Sequence, residues 1–479
     1  MSGSHPSSLV VSLPSSKVAT TTVEVYVSQQ PGNYPTKEFF LPIPKHLRYH
    51  PDRPFTFSYA ITVLYSLSAM VVVMNVYYCQ PLLIQMAESF HVSYGNISRV
   101  PTFTQAGYAC GLFVLLPFAD IIRRRQFTLV LVLITILITI GQAFTKDIRI
   151  FEVLSCIGGF TNITAQIIIP MVAESAPAKQ RAFAFSIVLT GIMFGILAAR
   201  VVAGVIAEYV DWRVVYYASF TLQSLAFICL YFIIPDYPAK NLNVPPWYIH
   251  WSTAKLAVTE PLALQVILIN LGASSCFAYF WVTMTFLLGG PPYQYSTLDI
   301  GLFGLIGLAG VAASPICGRI CDRLHPWHGL LIACFILLLF QAIQTAAGGT
   351  HLAALIVAAI GLDIFQQVQN VGLVVLILSV SPLAMARLNA LYIISYYSGM
   401  MIGTAAGTEI FVRYGWRAAG GFGMGFYVFQ ICVLLVRGPH CSQGTWFGYE
   451  GGLSYRTTAV DVSVSSDQSV NEEKVESVN

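Results

Sequence analysis

Asp363 stands near the middle of an apolar run, LIVAAIGLDIFQQVQNVGLVVLIL, while nearly all of the chain's 22 acidic residues fall in tails, loops or helix ends. Gln366, Gln367 and Asn370 follow it at i+3, i+4 and i+7. That spacing puts all four on one face of a helix. A carboxyl at mid-membrane costs at least about 2.5–3.5 kcal/mol on insertion scales, so the stripe should face a bundle interior or a water-filled cavity. Two chemistries are open to it. Asp363 can exchange a proton or cation on a substrate path lined by amides, or the stripe can bind helices together. Arg200 is the second embedded charge. It can pair with Asp363, bind an anionic substrate group, or snorkel to the interface near Glu208. Other polar and aromatic residues sit in apolar runs: Asn75, Tyr77, Tyr78 and Gln80 just before Pro81; Gln105; Asn162 and Gln166; Asn270, Tyr279 and Trp281; Tyr392 and Tyr396. The aromatics serve equally well as interface anchors.

The elements that must position these residues are membrane helices. The 479 residues are 56% hydrophobic and 10% charged, against roughly 25% charged in soluble domains. Apolar runs long enough to span a bilayer recur near 59–84, 98–118, 127–145, 151–173, 183–207 and 214–234, then near 261–288, 299–318, 329–347, 352–379, 387–411 and 417–436. The expectation is an all-α integral membrane protein. A six-helix bundle over 57–234 and another over 261–437 are joined by a central loop at 235–260. Residues 1–56 and 438–479 read as disordered tails, and no signal peptide is expected. Short loops rich in Lys and Arg face the cytoplasm. Arg123, Arg124 and Arg125 follow span 2, Lys179 and Arg181 follow span 4, and Arg319 and Arg323 follow span 8. Both termini and the central loop are therefore expected in the cytoplasm, with the plasma membrane as location. Asn96-Ile-Ser98 then lies outside and is a candidate glycosylation site.

The two halves repeat each other. Asp120 in LPFADIIRRR and Asp322 in GRICDRL lie 202 residues apart. SAPAKQR from Ser175 and SPLAMAR from Ser381 lie 206 apart, and VDWR from Val210 and YGWR from Tyr414 lie 204 apart. Three loops in near-constant register imply a duplicated six-helix unit, a construction common among secondary transporters. Small residues at every fourth position, Gly191, Gly195 and Ala199 in span 5 and Gly399, Gly403 and Gly407 in span 11, let helices approach closely. Gly107 with Gly111, and Gly304, Gly307 and Gly310, are read the same way.

On these residues the chain resembles the major facilitator superfamily. That family's loop signature is G-x-L-a-D-R-x-G-R-R. Gly318, Ile320, Cys321, Asp322 and Arg323 follow its first half. The first copy keeps Asp120, Arg124 and Arg125 and departs at Leu116, Phe118, Ile121 and Arg123. YYCQPLL at 77–83, GILAAR at 195–200 and RLNALYIISYYSGMMIGT at 387–404 look like a microbial branch near the drug:proton antiporters, and the long tails look fungal. Gly191 and Gly195 match that branch's gating motif, whereas Ile196, Ala199 and Arg200 replace its Pro and Gly pair. The resemblance implies that helices 1, 4, 7 and 10 line the cavity. It also implies that Asp120 with Arg124 and Arg125, and Asp322 with Arg323, form a cytoplasmic gate.

Other chemistries lack their residues. The ten cysteines follow neither a disulfide nor a zinc spacing. Histidines are scattered and there is no Walker sequence. Neither an enzyme, a metal centre nor a cofactor is expected, apart from a proton as coupling ion. A net charge of +3 excludes nucleic acid as the natural partner. The partners expected are the lipid bilayer and a small organic substrate, with the chain a monomer. The function expected is proton-coupled export of small, fairly apolar compounds by alternating access. Nutrient symport and a non-transporting membrane receptor or scaffold are the alternatives.

Overall fold

A computed structural model describes residues 37–38, 41–44, 47–48, 58–177, 180–236, 245–308, 310, 312, 325–381, 384–441, 444–450 and 452. Arg319, Asp322 and Arg323, Lys179, and most of both tails lie outside them. Strands β1 (Lys37–Glu38) and β2 (Leu41–Pro42) form an antiparallel pair in a small unit that ends at Ile43, inside the stretch read as disordered.

The larger unit begins at Pro44 and is helical. Its first half contains α1 (Tyr59–Tyr77), α2 (Cys79–Phe90), the short α3 (Tyr94–Ile97), α4 (Arg99–Leu115), the short α5 (Phe118–Ile121) and α6 (Arg124–Phe144). It continues with α7 (Ile148–Thr161), α8 (Thr164–Ser175), α9 (Arg181–Tyr209) and α10 (Arg213–Ile233). After α11 (Pro246–Thr259) come α12 (Pro261–Gly289), α13 (Thr297–Phe303) running into a 3-10 turn (Gly304–Ile306), and α14 (Pro326–Ala347). The last three are α15 (Leu352–Ser379), α16 (Met385–Tyr414) and α17 (Trp416–Val436). Joined across their breaks, these helices make twelve spans. Nine of them, among the described residues, are individually long and apolar enough to cross a membrane. The others are α4, which is short, α16, and the span opened by α13, which runs into undescribed residues.

Two of the breaks have local causes. Pro81 has no N–H to offer the Tyr77 carbonyl four residues earlier, and α1 ends at Tyr77. The chain leaves helical geometry at Asn162 and Ile163, between α7 and α8. There the Asn162 amide donates to the Val72 carbonyl of α1 at 2.9 Å.

The duplication reappears as packing. The fifth helix of each half lies on the first: α9 on α1, and α16 on α12. A Cβ at Gly191 would collide with Ser66, and a Cβ at Gly399 would collide with Ser274. Both members of that contact are offset by 208 residues. The capping of the sixth helix repeats as well. Arg125 donates to the carbonyls of Tyr231 and Ile234 at the end of α10. Trp327 Nε1 lies within 3.2 and 2.9 Å of the carbonyls of Leu434 and Arg437 at the end of α17. Arg125 and Trp327 are 202 apart, and each carbonyl pair is 203 apart.

Beyond α17 the chain folds back, in part of the stretch read as a disordered tail. Arg437 donates to the carbonyls of Thr445 and Cys441, and the Tyr449 hydroxyl donates to the Leu435 carbonyl at 2.6 Å. These bonds order a segment that apolar burial alone would not hold. The eight cysteines among the described residues are all free thiols.

A Cβ at Gly403 would overlap the Ser275 backbone, whereas one at Gly421 meets nothing within 4 Å. Gly403→Val is expected to cost about 1–3 kcal/mol of stability through overpacking. Gly421→Ala should be neutral or slightly stabilising. Thermal unfolding in detergent, followed by tryptophan fluorescence, distinguishes the two, and equal melting temperatures would contradict the packing described.

Candidate functional site

Arg200 and Asp363 come from opposite halves of the chain and meet in its interior. Arg200 lies on α9 at 4% exposure and Asp363 on α15 at 7%. They are within electrostatic reach of one another without forming a close ion pair. Arg200 Nε donates to Gln80 Oε1 of α2 at 3.1 Å. Its guanidinium carbon sits 3.8 Å from the ring centroid of Trp281 on α12, with Phe277 at 6.0 Å. A cation over a desolvated indole gains about 2 kcal/mol or more. Arg200 therefore does not snorkel toward Glu208. It is held by helices from both halves.

Glycines make room for this meeting. A Cβ at Gly304 would stand 3.0 Å from Arg200 Cβ, one at Gly307 would stand 3.4 Å from Asp363 Oδ2, and one at Gly310 would stand 3.0 Å from the Asp363 carbonyl. The small-residue stripe that follows α13 thus packs alongside both charged residues. Read from sequence it is plain helix packing; in place that packing brings it against a charged pair.

Aromatic rings and unmatched donors surround the pair. Tyr77 and Tyr396 are within electrostatic reach of Arg200, and Tyr108 of α4 stacks on Tyr397 of α16 with centroids 4.0 Å apart. Gln166 and Tyr397 face the Tyr108 hydroxyl. Arg200 Nη2, Trp281 Nε1 and the Tyr108 hydroxyl are buried and lack a hydrogen-bond partner among the described residues.

The other sequence candidates divide. Gln366 donates to Asn370 at 3.4 Å along the Asp363 face, and Gln367 is half-buried on α15. Gln105 Oε1 accepts from Thr404 of α16 at 2.9 Å, a bond between halves. Tyr78 is buried at the α1–α2 junction. Asn75 turns away from the charged pair. Its side chain meets Thr139 and Ser219, which Gln223 also bonds, in a network among α1, α6 and α10. Asn162 is committed to the Val72 carbonyl. Gly191, Gly195, Gly399, Gly403 and Gly407 pack the fifth helices onto the first ones, away from the seam between halves. Asn96 is exposed on α3.

At the gate positions, Arg125 is fully buried and bonded within its own half, with its guanidinium carbon 5.1 Å from the Tyr231 ring centroid. Arg123 makes an ion pair with Asp236 at 2.9 Å. Burial raises the Asp236 carboxyl above its ordinary value, while Arg123 and Arg125 pull it down. The side chain of Asp120, and all of Asp322 and Arg323, lie outside the described residues.

Sequence reasoning missed the seam near Thr297. Gln85 Nε2 donates to the Ala207 carbonyl and to Thr297 Oγ1, both at 2.9 Å, and the Leu298 N–H donates to Glu208 at 3.1 Å. A Cβ at Gly204 would stand 2.8 Å from the Gly301 Cα. Gly204 lies one residue past the position that would continue the four-residue spacing of Gly191, Gly195 and Ala199, so that pattern did not point to it.

The Major Facilitator Superfamily model matches residues 65–365, more than half of the chain. The chain belongs to that superfamily. It is 29% identical over 361 residues to the putative uncharacterized transporter YgaY of Escherichia coli K12, covering 74% of this chain and 90% of that one. It is 25% identical over 354 residues to the probable transporter SCO4007 of Streptomyces coelicolor, covering 74% and 82%. Among solved structures, a point mutant of the nucleoside transporter NupG superposes with a TM-score of 0.64 at 14% identity, and the human organic anion transporter MFSD10 with 0.59 at 13%. Each match covers 78% of this chain and 98% of the other. The fold is that of major facilitators: twelve membrane helices in two pseudo-symmetric six-helix bundles. This superfamily member is a multi-pass membrane transporter, and the relatives it matches are transporters, not enzymes.

Removing the Arg125 clamp exposes its structural role. Arg125→Leu leaves two buried carbonyls without donors, and each unsatisfied group costs about 1–3 kcal/mol. The expected result is a lower melting temperature with transport per folded molecule nearly unchanged. A wild-type melting temperature with reduced transport would instead assign Arg125 to the gate.

Proposed function

We propose that this transporter couples proton movement to export of small, fairly apolar organic compounds by alternating access. The observation that carries the reading is the buried Asp363–Arg200 pair, supplied by opposite halves, with the guanidinium held by Gln80 and Trp281. Carboxyls buried in transporters commonly serve as proton relays. Protonation of Asp363 removes the negative charge facing Arg200. That weakens the attraction between halves and frees the guanidinium for a substrate acceptor. Deprotonation restores the attraction. Aromatic walls with unmatched donors suit apolar molecules that carry hydrogen-bond acceptors.

By the distribution of Lys and Arg among the loops, both termini face the cytoplasm and the seam near Thr297 is the outer end. With Gln85, Glu208, Gly204 and Gly301 in contact there, the conformation is closed to the outside. The plasma membrane is the proposed location. Asn96 is then presented outside for a glycan, and Asn96→Gln should remove any glycosidase-sensitive shift in mobility.

Asp363→Asn leaves a buried arginine without its counter-charge, and breaking such a pair by removing one partner costs about 3–5 kcal/mol. In proteoliposomes it should abolish transport driven by a pH gradient while leaving substrate exchange. Adding Arg200→Gln should restore stability without restoring coupling. Gradient-driven accumulation by Asp363→Asn with an unchanged pH profile would rule out the proton role.

A further inference from the structure

The central loop contains α11, whose polarity is inverted for a helix in water. Its outward face carries Trp247, Tyr248, Trp251 and Val258, at 67, 53, 64 and 67% exposure. Lys255 stands on the same face. The inward face holds the buried Thr253 and the half-buried Leu256, the latter packed against the cluster of Ala263 and Trp327, while His250 meets Phe113 with centroids 5.1 Å apart. Trp247 and Trp251 are four residues apart, Trp251 and Val258 seven, so the apolar positions form one stripe. Such a stripe facing water would be an exposed apolar patch, which soluble surfaces keep small.

Its place in the chain decides what covers it. Only Glu260 separates α11 from Pro261, the first residue of the membrane span α12, and α11 packs on α12 and α16. The helix is therefore fixed at the depth where the bilayer begins, and its outward face continues the lipid-facing surface of the bundle. Trp and Tyr are the side chains that settle at that depth, with an apolar ring in the acyl boundary and a polar edge toward the headgroups. Lys255 can reach the phosphates.

We propose that α11 is an interfacial helix, seated in the headgroup–acyl boundary of the leaflet in which α12 begins, with Trp247, Tyr248, Trp251 and Val258 as its lipid contacts. The linker between the two halves is thereby attached to the membrane. Rocking of the halves must then slide or tilt this helix in the bilayer plane.

The test uses the full-length protein in phosphatidylcholine vesicles, with the acyl chains either unmodified or brominated near the headgroup end. Bromine quenches tryptophan only on contact. The double variant Trp247→Phe, Trp251→Phe keeps the rings apolar and removes two emitters. The wild-type minus variant emission isolates these two tryptophans from the other five. That difference should be strongly reduced in brominated vesicles. An equal difference in both kinds of vesicle, whether the rings face water or lie under another segment of the chain, would overturn the proposal.

Discussion

A membrane interior offers no water to complete an unfinished hydrogen bond, so each polar group there must find its partner within the protein. The arrangement described follows from that constraint. The carbonyls ending α10 take an arginine and those ending α17 a tryptophan. The break between α7 and α8 places Asn162 against a neighbouring carbonyl. Asn75, Thr139, Ser219 and Gln223 satisfy one another between α1, α6 and α10. Where bonding is complete, the helices are joined. Among the buried groups left unfinished are Arg200 and Trp281, which meet at the junction of the two halves.

The Asp363–Arg200 pair gains its character from its surroundings. Each charge is anchored on a long helix of its own half, so neither half alone contains the pair. Gln80 and Trp281 fix the guanidinium without neutralising it. Gly304 lies against Arg200 and Gly307 against Asp363, where a Cβ would crowd each. The two charges thus face one another across the junction without closing into an ion pair.

Much of this was legible beforehand. Composition and periodicity give the membrane class, and constant offsets between loops give the duplication. The i, i+3, i+4, i+7 spacing marks the Asp363 face. Other features were not. A sequence shows that Asn75 is polar in an apolar run, but not toward which neighbour it turns. The RRR loop advertises positive charge, yet Arg125 spends it on carbonyls of its own half. The tail beyond α17 is polar by composition, yet Arg437 and Tyr449 bond it to the end of the helix. Trp327 in the position of Arg125 is invisible to residue matching, because what the two copies share is a donated hydrogen and not a side-chain type.

The near-contact of Gly204 with Gly301 has a mechanical consequence. Two backbones touching without side chains have no interlocking teeth, so that joint can open and close with no rotamer needing to reset. Arg200 lies one turn before Gly204 on the same helix, and its own carbonyl is part of the joint, 2.9 Å from where a Cβ of Gly301 would stand. A rigid rod pivoting there moves its charge and its hinge together. Charge and contact sit about 6 Å apart along one helix, so neither can move far without the other.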